Sequence, residues 1–210
     1  MKTFLFNILL SSAIAVPFIG IMSGCSDEDE NRFRPGSAQK PEPVTPEEGL
    51  DYTKLTAENH PRLLMNATDF TVLKDKISSN TSENLTLLHN TIIGLCNSKG
   101  MSSSALTYKL DASNKRILDV SREALLRIFT CAYAYRTTGD SKYLTHAEAD
   151  INAVCNFSDW NSKRHFLDVG EMATAVALGY DWLYNDLSET TRKKVADALL
   201  NFAFKPAQNK

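Results

Sequence analysis

The stretch HFLDVGEMATAVALGYDWLY, residues 165–184, decides the fold of this chain. It is apolar almost all the way round, and a helix of that kind normally lies buried between other helices. It also carries His165, Asp168, Glu171 and Asp181, and acidic groups on a buried helix need partners or line a cavity. The stretch therefore predicts both a core helix and one wall of a candidate site.

On either side of this stretch, apolar residues recur at helical spacing and capping residues mark where each helix starts. The predicted helices are Asn66 to Ser78, Asn80 to Cys96, Lys115 to Thr138, Asp140 to Asn156, and Ser188 to Phe204. Gly139 is well placed to end the third of them. Residues 100–114 are polar and serine-rich and predict a long loop, a feature that is often functional.

The last four helices form two matching pairs, separated by about one repeat of the ~40–47 residues that is typical of stacked helix hairpins. No segment alternates apolar and polar residues over the length of a strand. The sequence therefore predicts an all-α fold. The helix pairs favour either an incomplete (α/α) toroid or, as the alternative, an α-solenoid.

The first 24 residues resemble a lipoprotein signal peptide. Lys2 provides a positive start, an apolar run follows over residues 4–21, and the sequence MSGC at residues 22–25 resembles a lipobox. In such signals the cysteine is lipidated, so the mature chain would begin at Cys25. The alternative is a membrane-spanning anchor, because the run approaches the ~18 residues that a span needs.

Residues 25–58 predict a tether rather than a folded domain. The acidic run SDEDE at residues 26–30 resembles a surface-export signal, and the prolines that follow favour an extended chain. We therefore expect an outer-membrane or cell-surface lipoprotein attached to the membrane through Cys25, or alternatively a periplasmic protein. The folded part is expected to span residues 59–210.

The charge pattern and the cysteines limit the possible partners. The net charge is −2 with no basic block, so nucleic acid is not expected as a partner. Cys96, Cys131 and Cys155 fit no metal-binding spacing. They are expected to be buried thiols, with a disulfide between two of them as the alternative. No cofactor is evident.

The polar residues at the start of the central stretch form the candidate site. His165, Asp168 and Glu171 step by three, so they form one ridge on a helix. A purely structural role is plausible, since acidic groups near a helix N-terminus complement its dipole and pair with arginines. The arginines considered as partners are Arg164, Arg122 and Arg127.

There are three functional interpretations of the same residues as alternatives to that structural role. A metal site is weakly indicated, because no second histidine lies nearby in sequence. A hydrolase would use Asp168 and Glu171 as acid and base. A glycan cleft would use Trp160 as a stacking platform, although core packing is an equal alternative for Trp160 and the favoured one for Trp182. The candidate substrate-binding residues are Trp160, Asn161, His165, Asp168 and Glu171.

Three motifs in order resemble the N-terminal half of the heparinase II/III-like polysaccharide lyases: HPRLL at residues 60–64, HFLDVGEM at 165–172 and GYDWLY at 179–184. The resemblance covers about residues 60–210. It implies an incomplete (α/α) toroid that continues into an antiparallel β-sandwich. It also implies β-elimination on a polysaccharide that contains uronic acid, such as heparin or heparan, chondroitin, or alginate.

The resemblance further implies how the reaction proceeds. A tyrosine or histidine removes the C5 proton of the uronate, while an asparagine or histidine neutralises the substrate carboxylate. In the family these residues come mostly later, so the catalytic residues are expected beyond Lys210 and this chain alone is expected to be inactive. Val195, Leu199 and Phe202 are then expected to expose apolar surface. The alternatives are a non-catalytic glycan-binding surface lipoprotein and an (α/α)-toroid glycoside hydrolase.

Overall fold

The computed structural model describes residues 59–208, and these residues contain helices, turns and loops but no strand. The prediction of an all-α fold is therefore confirmed. The predicted signal peptide, the lipidation site Cys25 and the tether lie outside the described residues. None of the helices between residues 59 and 208 is both long enough and apolar enough to cross a membrane.

Six helices account for most of the described chain. They are α1 (Ala67–Ser78), α2 (Glu83–Leu95), α3 (Leu118–Thr138), α4 (Ser141–Cys155), α5 (Phe166–Leu183) and α6 (Glu189–Ala198). A π-helical turn, Cys96–Gly100, extends α2. A second π-helical turn, Leu199–Phe204, extends α6 and leads into a short last helix, α7 (Lys205–Gln208).

Local chemistry determines where most of these helices begin and end. Four of them begin at a residue whose side chain accepts a hydrogen bond from the first turn: Asn66, Ser82, Asp140 and Ser188. Helix α3 ends at Gly139, which has a φ of 76° and so adopts the left-handed conformation that glycine tolerates best. The predicted helix boundaries are confirmed to within a few residues for this reason.

Helix α3 is at the centre and packs along both α4 and α5, while α4 also packs on α6. Near the start of α3, Ser121 donates a hydrogen bond to the carbonyl of Asp168 in α5 (2.9 Å). Further along, Gly179 of α5 lies against Ile128 of α3. The two helices therefore run parallel, and the α5–α6 hairpin repeats the direction of the α3–α4 hairpin.

Gly179 allows this close packing. A Cβ atom at that position would clash with Cγ2 of Ile128 and would lie 3.0 Å from Cδ1 of Ile151 in α4. Because α5 contacts α3, α4, α6 and the π-helical turn after α6, it buries residues on most of its faces. That environment explains why its sequence is apolar almost all the way round.

Val195, Leu199 and Phe202 were expected to expose apolar surface, and this expectation is wrong for Val195. Val195 is fully buried, while Leu199 and Phe202 are half-buried against the core. The inward face of α6 is covered because this helix packs on α4 and α5. The large apolar side chains that are exposed on this segment are instead Leu200 and Phe204.

Candidate functional site

Two loops meet at one end of the helix bundle. Residues 101–117 precede α3 and residues 156–165 precede α5, and because these helices are parallel, both loops lie at their N-terminal ends. Two hydrogen bonds connect the loops: Tyr108 Oη donates to Asp159 Oδ1 (3.2 Å), and Asn161 Nδ2 donates to the Lys115 carbonyl (2.9 Å). We call this region the loop end. The five predicted site residues all lie in it or in the first turns of α5.

Asp168 lies at the centre of the loop end and is fully buried. Its Oδ1 accepts hydrogen bonds from Nε and Nη2 of Arg116 (3.0 and 2.7 Å). Its Oδ2 accepts from the Ile117 backbone N–H (2.8 Å) and from Asn161 Nδ2 (3.0 Å). The carboxylate is thus enclosed and has donors on both oxygens, so it cannot contact a ligand directly. Its role is to fix the two loops in position, which corrects its predicted role as a substrate-binding group.

Asn161 is a second positioning residue. It is 6% exposed and has a φ of 65°, in the left-handed region that asparagine adopts more readily than most residues. Its carbonyl accepts hydrogen bonds from the backbone N–H groups of Arg164 and His165 (both 3.1 Å), which forms the turn into α5. Like Asp168, it is enclosed and connects the loops, so it offers little surface to a substrate.

Glu171 lies one turn further along α5 and forms an ion pair with Arg122, one of the arginines considered from the sequence (3.0 Å). Asp168 pairs with Arg116, which had not been considered. With Asp168 enclosed and Glu171 occupied by an exposed arginine, the two carboxylates do not face each other across a cleft. This arrangement gives no support to an acid and base pair for hydrolysis.

The predicted stacking role of Trp160 is corrected. Trp160 is fully buried, its indole N–H donates to the Val154 carbonyl (3.0 Å), and its ring packs edge-on against Phe202 (5.5 Å between centroids). No face of the ring is free to stack on a sugar. Trp182 is also a core residue, as favoured from the sequence, and packs against Phe70 and Phe129.

The exposed aromatic ring at the loop end is that of Tyr108, which lies in the predicted loop of residues 100–114. Its side chain is 38% exposed, and its ring packs edge-on against Phe157 (5.6 Å between centroids). Burial, with the charge and hydrogen bond of Asp159, raises the pKa of Tyr108 above its ordinary value. The hydroxyl therefore keeps its proton and remains a hydrogen-bond donor at neutral pH. A lone tyrosine in a long serine-rich loop was the signal that could have identified it.

His165 is half-exposed at the N-terminal boundary of α5. Its backbone N–H and carbonyl both contribute to the turn, but its imidazole forms no hydrogen bond with any residue in the range 59–208. Of the five predicted site residues, His165 and Glu171 are therefore the two whose side chains reach the surface. His165 is the one whose polar atoms are available to a ligand.

Four basic residues lie in the two loops of this end: Lys109, Lys115, Lys163 and Arg164. All four residues are exposed, and none forms an ion pair with another described residue. Arg164 opposes the rise in the Tyr108 pKa, which places its charge near the tyrosine hydroxyl. We call these four residues the loop-end cations. The two loops also contain the carboxylates Asp111 and Asp159, so the four cations are only partly balanced and leave a net positive charge that favours an anionic ligand.

A second buried aspartate lies at the opposite end of α5. Oδ1 of Asp181 is 2.6 Å from Nδ1 of His60, and its Oδ2 accepts hydrogen bonds from the backbone N–H groups of Arg62 and Leu63 (2.8 and 2.7 Å). The His60 ring stacks on Tyr184 with centroids 4.0 Å apart. We call this contact the Asp181 clasp. It joins the HPRLL segment to the GYDWLY segment, so two of the motifs behind the family resemblance form one structural contact.

Other features of the described chain are weaker site candidates. Residues 59–208 contain no group of three or more His, Cys, Asp and Glu side chains that could hold a metal ion. A groove of about 460 Å³ runs along α6. It is lined by Lys193 and Lys194 together with Glu189 and Asp197, so its charges balance and do not select an anion.

No protein-family model matches this chain, and no curated protein matches it in sequence. The loop end and the Asp181 clasp are therefore the features from which a function is inferred.

Proposed function

We propose that this chain is the helical N-terminal part of a polysaccharide lyase, and that its loop end binds an acidic polysaccharide that contains uronic acid. The observation that carries the proposal is the set of exposed loop-end cations in the same two loops as the exposed Tyr108 and the half-exposed His165. Heparin or heparan-like chains, chondroitin and alginate all present the carboxylate groups, and in some cases the sulfate groups, that such a surface attracts.

The side chains at the loop end have complementary roles in this proposal. The cations pair with carboxylate or sulfate groups, while Tyr108 offers an apolar ring edge and a hydroxyl donor to a sugar. His165 adds a polar group whose hydrogen-bonding atoms are available. Asp168 and Asn161 are buried beneath this surface and do not contact the ligand, but they hold both loops in position. A surface fixed in this way loses less conformational entropy when it binds a ligand.

An incomplete (α/α) toroid is the architecture we propose for the helical part. Two features support it: α5 and α6 repeat the direction of α3 and α4, and the Asp181 clasp is formed by motifs that resemble those of the lyase family. The proposed anchor is a lipid on Cys25, which would place the protein on the outer membrane or the cell surface.

β-Elimination needs a group that neutralises the uronate carboxylate, a base for the C5 proton and a proton donor for the leaving oxygen. The loop-end cations are suited to the first task. No described residue is assigned as the base. Tyr180 and Tyr184 are half-buried beside His60 in the Asp181 clasp, at the far end of α5 from the loop end.

Binding is tested with labelled heparan sulfate, chondroitin sulfate and alginate, with neutral dextran as the negative ligand. We expect the double variant K163A/R164A to weaken binding about tenfold at low salt, which corresponds to ~1.4 kcal/mol. The matched control is K193A/K194A on α6, which removes the same charge from the balanced groove and should leave affinity unchanged. The difference between the two variants should shrink as salt is added. Equal losses of affinity in the two double variants would show that binding depends on net charge and not on the loop end.

Catalysis is tested separately by the ultraviolet absorbance of the unsaturated uronate product, using the full-length protein on the same three polymers. Product on at least one polymer is expected. Binding without product on any of them would instead favour the second candidate, a non-catalytic glycan-binding lipoprotein. That candidate uses the same loop-end cations and needs no catalytic group among the described residues.

A further inference from the structure

Two of the cysteines lie side by side in the core. Cys96 begins the π-helical turn after α2, and Cys131 lies in the middle of α3. Their Sγ atoms are 3.6 Å apart, although 35 positions separate them in sequence, and both residues are fully buried. The third cysteine, Cys155, is on α4 and lines the groove along α6. The chain therefore brings together one specific pair of thiols.

Few other groups lie close to the two thiols. Sδ of Met101 is 3.8 Å from Cys131 Sγ. A Cβ atom at Gly100 would clash with Oγ1 of Thr130 and would lie 3.4 Å and 3.6 Å from the two sulfurs, so the backbone of the π-helical turn packs closely against the pair. No metal-binding group is present around these thiols within residues 59–208. Two adjacent thiols can be oxidised to a disulfide by thiol–disulfide exchange.

We propose that Cys96 and Cys131 are a cross-link site that forms a disulfide between the end of α2 and the middle of α3. The oxidant is a disulfide-exchange donor, either a small disulfide such as oxidised glutathione or a dithiol–disulfide oxidoreductase. One of the two protein thiolates attacks one donor sulfur and releases a donor thiolate. The thiolate of the other cysteine then attacks the protein sulfur of the mixed disulfide and releases the second donor thiolate. Two protein thiols and one donor disulfide thus give one protein disulfide and two donor thiols.

The burial of both thiols determines when exchange takes place. Its hydrogen bond with Cys96 and its burial raise the pKa of Cys131, so this thiol keeps its proton while the pair is packed. Since both sulfurs are inaccessible in the packed structure, exchange takes place before α2 docks on α3 or while the π-helical turn is open.

The cross-link would close a ring that contains the loop of residues 101–117. That loop carries Tyr108, Lys109 and Lys115 of the proposed glycan surface. Closing a ring of this size lowers the entropy of the unfolded chain and so stabilises the folded one. The proposal does not depend on what the loop end binds.

The experiment refolds the full chain in a glutathione redox buffer, with Cys25→Ser in every sample so that three cysteines remain. Peptide mapping without reductant should find the peptides of Cys96 and Cys131 linked, with Cys155 alkylated as a free thiol after denaturation. The melting temperature of the oxidised protein should exceed that of the reduced protein by an amount on the order of 10 °C.

Two variants separate the cross-link from simple packing. Cys155→Ser should keep both the linked peptides and the redox-dependent melting temperature. Cys131→Ser should lose both, so that its melting temperature is the same with and without reductant. The proposal is overturned if all three thiols of the oxidised, refolded protein can still be alkylated, or if Cys155 is found in the linked pair. Peptide mapping of the parent chain decides the matter even if Cys131→Ser fails to fold.

Discussion

The two ends of α5 each bury an aspartate, but they satisfy it in different ways. At the loop end, Asp168 is enclosed by a guanidinium, a backbone N–H and an amide. At the clasp, Asp181 accepts two backbone N–H groups and lies against the His60 ring. Both carboxylates bind a segment that is distant in sequence to α5. The partners lie 51–52 residues away from Asp168 and 118–121 residues away from Asp181.

The difference shows what each end is built to do. The Arg116 side chain is 27% exposed, so the ion pair with Asp168 extends from the core to the surface of the loop end. The Asp181 clasp uses mainly backbone groups and fixes the path of the residues just before α1. One aspartate thus supports a charged surface, while the other attaches the start of the folded chain.

The largest expected effect is that of Asp168→Ala. Removing the carboxylate leaves Arg116, Asn161 and the Ile117 N–H without their acceptor, so we expect a loss of ~3 kcal/mol in the free energy of unfolding. Urea denaturation measures it. Glu171→Ala is the matched control, because it breaks the neighbouring but exposed pair with Arg122 and should cost about 0.5 kcal/mol or less. Equal losses for the two variants would show that Asp168 does not support the loop end.

Asp181→Asn should have a smaller and more local effect. The amide keeps one acceptor oxygen but places an NH₂ group against hydrogen-bond donors, so we expect the free energy of unfolding to fall by ~2 kcal/mol. Hydrogen exchange distinguishes this variant from Asp168→Ala. The amides of Arg62 and Leu63 should exchange faster while those in the middle of α3 keep their protection. Faster exchange throughout α3 would contradict a local role for the clasp.

Arg116→Lys tests whether the loop end needs a guanidinium or only a positive charge. Lysine cannot reproduce the paired Nε and Nη2 hydrogen bonds to Asp168, so we expect a loss of ~1.5 kcal/mol in the free energy of unfolding. The control, Arg122→Lys, changes a surface pair and should cost close to zero. If Arg116→Lys is as stable as the parent chain, a single positive charge is sufficient to compensate Asp168.

The parts of this structure that depend on local chemistry could be predicted from the sequence. The helix limits follow from caps such as Asn66, Ser82 and Gly139, which act within one turn of the residue concerned. The burial of α5 follows from its composition. Pairing of Glu171 with Arg122 was among the possibilities, because like positions on neighbouring helices of a repeated hairpin lie close together.

The parts that depend on how the loops fold back could not be predicted. The pairing of Arg116 with Asp168 could not be predicted, because only the path of residues 101–117 brings the two side chains together. Trp160 and Tyr108 both lie in loops, and nothing local shows that the tryptophan fills the core while the tyrosine remains partly exposed. Exposure of a loop aromatic is a property of the tertiary structure, so the candidate stacking residue could not be chosen from the sequence.

The smallest expected effect concerns Glu148, a carboxylate that forms no ion pair with a cation of residues 59–208. It joins α4 to the start of α6 by accepting hydrogen bonds from the Ser188 backbone N–H (3.1 Å), Ser188 Oγ and Thr191 Oγ1 (both 2.7 Å). Burial disfavours its charged form, but the hydrogen bonds from Thr191 and Ser188 outweigh burial and hold the pKa of Glu148 below its ordinary value of 4.5. Because the folded-state pKa is the lower one, the charged form stabilises the fold above pH 4.5, and this contribution is lost as the pH falls through the folded-state pKa.

Glu148→Gln should therefore lower the free energy of unfolding by about 0.5–1 kcal/mol at pH 7, since an amide is a weaker acceptor for three donors. The difference from the parent chain should narrow as the pH is lowered below 4.5, which urea denaturation at several pH values measures. Glu189→Gln in the first turn of α6 is the control, because Glu189 is exposed and receives no side-chain hydrogen bond from another described residue. If the difference in free energy of unfolding between Glu148→Gln and the parent chain stays constant from pH 7 to pH 3, the packing of the Glu148 side chain, and not its charge, joins α4 to α6. In that case one backbone N–H group and two hydroxyls would not be enough, and a carboxylate of this fold would need a cation, as Asp168 has, or two backbone N–H groups, as Asp181 has, for its charge to stabilise the fold.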